Sequence, residues 1–316
     1  MTEREIYQAI FRHEKPPRFP KREYFQLNFV PGERSQGNTS GPDWFGVQWL
    51  YNENDGTKVV KPGTRRLDSI SDWKTIMPDI QEIDWESAGA AVQKTYDRKN
   101  GIQVVGIHSS HFERLQNILG FENALISMYE DADEVRDFFK ALTELKVEMI
   151  YKIKKYYNPD GISPHDDWGT NRNMFFSPDL WRDLIKPELK QLVDAAHECN
   201  MFYEQHTCGY ITPVVGDMVE CGVDACEIQA VNDLAYIKEN YGDKLVLRGC
   251  FNGQVLSRPG VTEEEVRNEI RTTLETCAAD GGFIAQKMWG ITDPAMSAAV
   301  YDEFHKFEVK YYGAEA

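Results

Sequence analysis

Three side chains with metal-binding chemistry occur at alternate positions in one short stretch of this sequence. Residues 201–209 read Met-Phe-Tyr-Glu-Gln-His-Thr-Cys-Gly, and the first half of the stretch has the composition of a short buried strand. Because alternate side chains of a strand face the same way, Glu204, His206 and Cys208 should project together. Carboxylate, imidazole and thiolate are the ligands that zinc binds, so this strand end is a candidate zinc site.

Polar side chains follow the other predicted strands in the same manner. A buried strand at 101–107 runs into His108 and His111, and a short strand ends at residues 165–169, His-Asp-Asp-Trp-Gly. In a (β/α)8 barrel the carboxyl ends of all the strands converge on one face, where that fold places its chemistry. The polar residues at predicted strand ends are His108, His111, His165, Asp166, Asp167, His206, Cys208, Glu227, Gln229, Cys250 and the pair Met288-Trp289.

Short apolar strands alternate with helices after about residue 100. A long helix is predicted after Asp131 or Asp133, and Thr262 to Glu265 forms a capping box for a later one. This alternation predicts a parallel α/β fold, and the absence of a Gly-x-Gly-x-x-Gly or P-loop run favours a TIM barrel over a doubly wound sheet. A helix at 3–13 and a loop-like region at 31–84 form an N-terminal extension, and residues 1–316 are predicted to form a single domain.

Charge and composition exclude several classes of function. The 316 residues contain 35 Lys and Arg against 51 Asp and Glu, a net charge of −16 that disfavours binding to nucleic acid or to anionic membranes. The N-terminus lacks the apolar core of a secretory signal, and no apolar run is long enough to span a bilayer. We therefore expect a cytoplasmic enzyme whose six cysteines are reduced.

A set of motifs distributed over nearly the whole chain resembles the uroporphyrinogen decarboxylase superfamily. The resemblance begins in the Arg4-Glu5 helix and the Asp-Trp-Phe-Gly-Val segment at 43–47. The further motifs are Asp166-Asp-Trp-Gly-Thr170, Ser177-Pro-Asp-Leu-Trp181, Lys186-Pro187, His206-Thr-Cys-Gly209, Gly222-Val-Asp224, Gln229 and Gly281-Gly282.

This resemblance implies a single TIM barrel with one of two chemistries. The decarboxylases bind an acidic tetrapyrrole through an arginine-rich N-terminal segment that ends in Gln-Ala-Gly-Arg, whereas this chain has Phe29-Val-Pro-Gly-Glu-Arg34 there. The other branch consists of zinc methyltransferases that act with corrinoid proteins in methanogenesis and in anaerobic O-demethylation. Their hallmark is a His-x-Cys strand end with a later cysteine, and His206 and Cys208 match the first part of it.

The position of the later cysteine separates the subgroups of this branch. In the coenzyme M methyltransferases it follows the Gly-Gly strand, where this chain has Gln286-Lys-Met-Trp289. Cys250 is the nearest replacement, so the resemblance implies an O-demethylase-like enzyme with zinc on His206, Cys208 and Cys250. Glu227 is the expected fourth ligand, which substrate displaces, and Glu204 is the second choice for that place.

The second polar group is expected to act on the substrate. Asp167 or Asp166 would protonate the leaving oxygen or bind the substrate. The alternatives are that these residues cap helices and support the site, or that the histidines bind a metal of their own. The expected substrate-binding residues are His108, His111, His165, Trp168, Gln229 and Trp289.

The sequence thus predicts a zinc-dependent methyltransferase that moves a methyl group between a small methylated compound, such as a methoxylated aromatic, and a corrinoid protein. The chain has no Asp-x-His-x-x-Gly run of the kind that binds a corrinoid, so the cobalt carrier should be a separate protein. One alternative is a cofactor-independent decarboxylase of a porphyrin-like or other carboxylated substrate. Another is a non-catalytic barrel in which His206, Cys208 and Cys250 are core residues.

Overall fold

The computed structural model describes residues 1–35, 37–54, 56–285, 291 and 293–315. Its strands are β1 (Phe25–Phe29), β2 (Gly41–Pro42), β3 (Gln48–Tyr51), β4 (Lys58–Val60), β5 (Ile102–Ile107), β6 (Gly161–Pro164), β7 (Phe202–His206), β8 (Ala225–Ile228), β9 (Val246–Gly249) and β10 (Phe283–Ile284).

Twelve α-helices occur in the described residues. They are α1 (Glu3–Phe11), α2 (Trp85–Gln93), α3 (His111–Leu119), α4 (Phe121–Glu130), α5 (Ala132–Tyr156), α6 (Pro178–Leu184), α7 (Lys186–Glu198), α8 (Val215–Cys221), α9 (Leu234–Tyr241), α10 (Gly253–Leu256), α11 (Glu263–Cys277) and α12 (Pro294–Phe307). Short 3₁₀ turns lie at Arg22–Tyr24, Ile70–Thr75, Ile80–Glu82 and Thr212–Val214, and a π turn lies at Glu308–Tyr312.

Seven of the strands form one parallel sheet in the order β1-β5-β6-β7-β8-β9-β10. Each strand pairs with the next one of the sheet, as expected when helices connect successive parallel strands. The register aligns His206 of β7 with Glu227 of β8, and Glu227 with Arg248 of β9. Three polar side chains thus stand side by side at the carboxyl ends of adjacent strands.

The sheet is curled, and α1 lies against the amino-terminal ends of its strands. Ile102 of β5, Val246 of β9 and Ile284 of β10 come from widely separated positions in the sheet, yet they share one buried cluster with Ile6 and Ile10 of α1. Such a cluster forms only if the sheet wraps around a common interior. The predicted TIM-barrel-like α/β fold is confirmed, with seven parallel strands among the described residues where eight were predicted.

The helices cover the outer face of the sheet, and α5 is the longest of them. Its sequence places Val135, Phe138, Leu142, Met149 and Ile153 on one face at three- and four-residue spacings, and all five are buried. The predicted helix is therefore confirmed. No helix in the described ranges is long and apolar enough to cross a membrane.

The region predicted as a loop at 31–84 contains a small antiparallel sheet of β2, β3 and β4. Buried ion pairs hold it on the barrel. Arg114 of α3 is 2.6 Å from Asp43, which also accepts the indole N–H of Trp49 at 3.0 Å. Lys146 of α5 is 3.2 Å from Glu33 and donates to the backbone oxygen of His108 at the end of β5. The extension therefore sits beside the carboxyl ends of the strands.

Candidate metal centre

Asp167, His206 and Cys208 lie together at the carboxyl ends of β6 and β7. The two strand ends meet because His165 bridges to His206 and the Asp166 amide donates to the His206 carbonyl at 3.1 Å. One ligand atom from each of the three residues lies within 4.8 Å of the others. The Nε2 atom of His206 is 3.7 Å from the Cys208 sulfur and 3.8 Å from Asp167 Oδ1.

These separations suit a metal ion. A tetrahedral zinc ion with the usual bond lengths to nitrogen and sulfur places its ligand atoms about 3.5 Å apart. The Asp167 carboxylate is held toward the group because Oδ1 accepts the backbone N–H of Cys208 at 2.7 Å. A nitrogen, a sulfur and an oxygen donor therefore converge, which is the three-ligand arrangement of catalytic zinc sites.

Glu227 fixes the orientation of His206 from the neighbouring strand. Its Oε2 atom is 2.7 Å from His206 Nδ1, so the Nε2 atom points toward Cys208 and Asp167. Burial opposes ionisation of Glu227, but Arg248 and His206 outweigh it and lower the pKa of Glu227 to about 2. Burial likewise opposes charge on His206, yet bonds to Cys208 and Glu227 raise the pKa of His206 well above its ordinary value. The Glu227 carboxylate thus places negative charge directly beside the candidate ligand group.

Glu204 lies one step deeper in the barrel. Both of its oxygens accept bonds from the guanidinium of Arg248 at 2.6 Å, and Oε1 also accepts the hydroxyl of Ser163 at 2.9 Å. The strand alternation that we expected is present, but Glu204 is committed to this ion pair. Its carboxylate is not a member of the ligand group.

Cys250 is not brought to the other ligand atoms. It has a left-handed backbone conformation, with φ of 64°, which ends the alternation of β9. The residue is 2% exposed, and its thiol donates to the backbone carbonyl of Arg248 at 3.9 Å. Burial raises the pKa of the Cys250 thiol well above its ordinary value, with Cys277 adding to the shift. Among the described residues, Asp167 and not Cys250 lies with His206 and Cys208.

A row of stacked rings leads away from His206 across the strand ends. The His165 ring stacks on His206 at 4.2 Å, the His108 ring lies 5.2 Å from His165, and Phe29 of β1 stacks on His108 at 4.0 Å. Burial lowers the pKa of His108 and that of His165 well below the ordinary value, so both rings are neutral. His108 Nδ1 and His165 Nε2 have no hydrogen-bond partner within the described ranges.

Three residues that we expected to act on substrate serve as structural supports. Asp166 accepts the Glu113 amide at 2.8 Å and the Trp168 indole at 2.7 Å, so it caps α3. His111 faces α5, where its Nε2 atom is 2.8 Å from the Thr143 hydroxyl. Burial lowers the pKa of His111 to about 3. Neither His111 nor Trp168 lines the cavity described below.

Gln229 positions the backbone after Cys208. Its Oε1 atom accepts the Gly209 amide at 2.9 Å. Gly209 has φ of 85°, and a Cβ at that position would come within 2.1 Å of the Gly169 carbonyl carbon. The chain therefore needs glycine to pass so close to the β6 loop. Trp289, the remaining predicted substrate-binding residue, lies outside the described residues.

A cavity of about 680 Å³ adjoins the candidate metal ligands. His165, His206 and Cys208 form part of its wall, and most of the remaining surface is apolar. This size and polarity suit a small organic substrate. The apolar side chains on the wall are Leu27, Phe29, Ile228, Ala230, Val231, Phe251 and Leu256.

Two arginines near the site were not identified from the sequence. Arg248 could have been identified, because it is the charged residue in the otherwise apolar strand Leu-Val-Leu-Arg. Arg34 stacks on Trp49 at 5.1 Å and lines a neighbouring cavity of about 780 Å³ with Lys58 and His108. Burial lowers the pKa of Arg34, and among the described residues its guanidinium forms no salt bridge. Arg34 reaches this neighbouring cavity only because the loop at residues 31–84 folds against the barrel.

Comparison with known proteins gives one family match. The sequence model of the family described as Uroporphyrinogen decarboxylase (URO-D) matches residues 39–307, a span that includes Asp167, His206 and Cys208. A search of curated proteins gives no significant match.

Among solved structures, a methyltransferase from Methanosarcina mazei is similar over 97% of this chain and 99% of that chain, with 15% identity and a TM-score of 0.69. The Old Yellow Enzyme from Pichia sp. AKU4542 is similar over 96% of this chain and 79% of that chain, with 10% identity and a TM-score of 0.44. At 15% identity, the similarity to the Methanosarcina mazei methyltransferase concerns the fold alone.

Proposed function

Because the chain belongs to the uroporphyrinogen decarboxylase family, we propose that it is a methyltransferase with a zinc ion bound by Asp167, His206 and Cys208. The observation that supports this most is the convergence of the three ligand atoms beside an apolar cavity. The substrate would be a small methylated compound such as a methoxylated aromatic, and a separate corrinoid protein would exchange the methyl group.

The protein residues have separate tasks in this proposal. Zinc bound at this position would supply Lewis acidity that stabilises the anion of the heteroatom which loses or gains the methyl group. Glu227 keeps Nε2 of His206 directed at the metal position, as carboxylates commonly do for metal-bound histidines. The apolar wall excludes water from the bound substrate.

His165 supplies polarity in the wall of the apolar cavity, and His108 lines the neighbouring cavity with Arg34. His108 Nδ1 and His165 Nε2 lie without a partner in the described part of the chain, and a buried polar atom without a partner is costly. Hydrogen bonds to an oxygen of the substrate would remove that cost. We assign these two residues to substrate binding, and we assign His111 and Trp168 to support of the fold.

A decarboxylase is the second candidate, and Arg34 is the observation that favours it. A guanidinium without a carboxylate partner in the described residues, beside a cavity that also contains Lys58, suits an acidic substrate. Release of carbon dioxide by the Cys208→Ala variant would support this reaction, because it would require no metal ligand at residue 208.

Methyl-transfer assays test the proposed reaction. We expect zinc-loaded protein, supplied with a reduced corrinoid protein and a panel of methoxylated aromatics and methylamines, to methylate the corrinoid. The change in corrinoid absorbance measures the transfer, and reactions without the corrinoid protein are the control. Absence of transfer from every donor on the panel, together with carbon dioxide release from carboxylated substrates, would replace this proposal with the second candidate.

A further inference from the structure

The layer of the barrel directly beneath the candidate metal centre contains a buried arginine. Arg248 is fully buried, and its guanidinium lies 5.1 Å from the centre of the Phe25 ring. It donates two bonds of 2.6 Å to Glu204 and one bond of 2.6 Å to Oε2 of Glu227. The same Oε2 atom accepts the bond from His206 Nδ1 at 2.7 Å.

The shared oxygen couples Arg248 to His206. A carboxylate oxygen that accepts two charged or polar hydrogens is held between them, so its position depends on both donors. The Arg248 guanidinium is held in place by its two hydrogen bonds to the Glu204 carboxylate. The hydroxyl of Ser163 in β6 donates a further hydrogen bond to the same carboxylate. The hydrogen-bonded chain therefore runs across β6, β7, β8 and β9 and ends at a candidate metal ligand.

The charges of this layer favour a cation above it. Glu204 and Glu227 contribute two negative charges and Arg248 one positive charge, all in an interior where the effective dielectric constant is low. The excess negative charge faces His206. Without the guanidinium, the buried Glu204 carboxylate would have no counter-charge, and Glu227 would lose one of the two contacts that fix its oxygen beside His206.

On the basis of the proposed zinc site, we infer that Arg248 is a positioning residue for the metal, acting through Glu227 on His206. A guanidinium is required because one planar group has to bond two carboxylates at once. A lysine at this position keeps the charge, but its single ammonium group cannot reproduce the fork. Zinc affinity should therefore depend on a residue that lies outside the candidate ligand group.

Zinc affinity of the purified full-length protein, measured by competition with a chromophoric chelator, tests this inference. We expect Arg248→Lys to weaken zinc binding by about 10- to 100-fold, the usual effect of losing a group that orients a metal ligand. In a Glu227→Gln background the same substitution should change the affinity by less than about 2-fold, because the coupling has been removed. Glu204→Gln should weaken zinc binding less than Arg248→Lys does. In the Glu227→Gln background it should have no effect on zinc binding.

Arg114→Lys is the matched control. Arg114 is also fully buried and bonded to a carboxylate, but its partner is Asp43 in the N-terminal extension. Its substitution should lower stability without changing zinc affinity. If the wild-type protein binds zinc, two results would overturn the inference. One is an equal loss of affinity from Arg248→Lys in the wild-type and Glu227→Gln backgrounds, and the other is no loss of affinity in Arg248→Lys. Failure of the wild-type protein to bind zinc would overturn the proposed function, and the inference with it.

Discussion

Replacement of Cys208 with alanine should lower zinc affinity and methyl transfer by more than about 100-fold each. Loss of a group that only orients a ligand costs 10- to 100-fold, and loss of a ligand should exceed that. Cys208 supplies the sulfur of the three-ligand group, and its amide also holds Asp167 in place. The alanine variant keeps the amide, so it removes the sulfur while leaving the Asp167 contact intact. Chelator competition and corrinoid methylation measure the two effects.

Cys250→Ala is the matched control for this variant. Cys250 also lines the cavity, but its thiol donates to the Arg248 carbonyl at 3.9 Å and lies outside the ligand group. We expect its replacement to leave zinc affinity within about 2-fold of wild type, as for a site that shares no partner with the metal. Zinc loss in Cys250→Ala with retention in Cys208→Ala would contradict the proposed ligand set.

Replacement of Arg114 with methionine should lower the free energy of unfolding by about 3–5 kcal/mol, because it leaves the buried Asp43 carboxylate without its counter-charge. Arg114 bonds Asp43 at 2.6 Å, donates to the Glu33 carbonyl at 3.1 Å and covers the Phe45 ring at 4.1 Å. All of these partners belong to the N-terminal extension. Urea denaturation of the metal-free protein measures the change without a contribution from bound zinc.

Arg136→Met is the control for the loss of an arginine. Arg136 pairs with Asp133 and Asp183 on the surface and is 44% exposed, so its removal should cost less than about 1 kcal/mol. Equal destabilisation by the two substitutions would show that the extension does not depend on the buried pair. Limited proteolysis of Arg114→Met should also cleave first between residues 31 and 60.

The sequence was sufficient to predict the barrel but not the small sheet. Alternating apolar strands and amphipathic helices are local patterns, and α5 shows how far one face can be identified by spacing alone. The strands β2 and β3 contain two and four residues, too few for any periodicity. Their pairing depends on Asp43, which binds Trp49 and Arg114, and Arg114 is distant in sequence.

The candidate site could be predicted where it depends on strand geometry. Alternation along β7 placed His206 and Cys208 on one face, and the structure brings their ligand atoms to 3.7 Å. Cys250 could not be placed in this way, because the left-handed backbone at residue 250 ends the alternation of β9 and the thiol donates to the Arg248 carbonyl. Asp167 was expected to be functional, but its place beside His206 and Cys208 depends on the contact between the ends of β6 and β7.

Burial separates two neighbouring aspartates that the sequence could not distinguish. Asp166 accepts three hydrogen bonds from α3 and Trp168, so it is satisfied inside the fold. Asp167 is the next residue, and its carboxylate faces His206 and Cys208. A change of one position along a turn thus determines whether a carboxylate caps a helix or joins the candidate ligand group.

Zinc X-ray absorption on the purified protein tests the central claim most directly. The ligand set Asp167, His206 and Cys208 predicts one sulfur at about 2.3 Å, with the remaining ligands being nitrogen or oxygen at about 2.0–2.2 Å. In Cys208→Ala the sulfur contribution should disappear, and in Cys250→Ala it should remain. A spectrum with two sulfur ligands, or a protein that binds no zinc, would contradict the account.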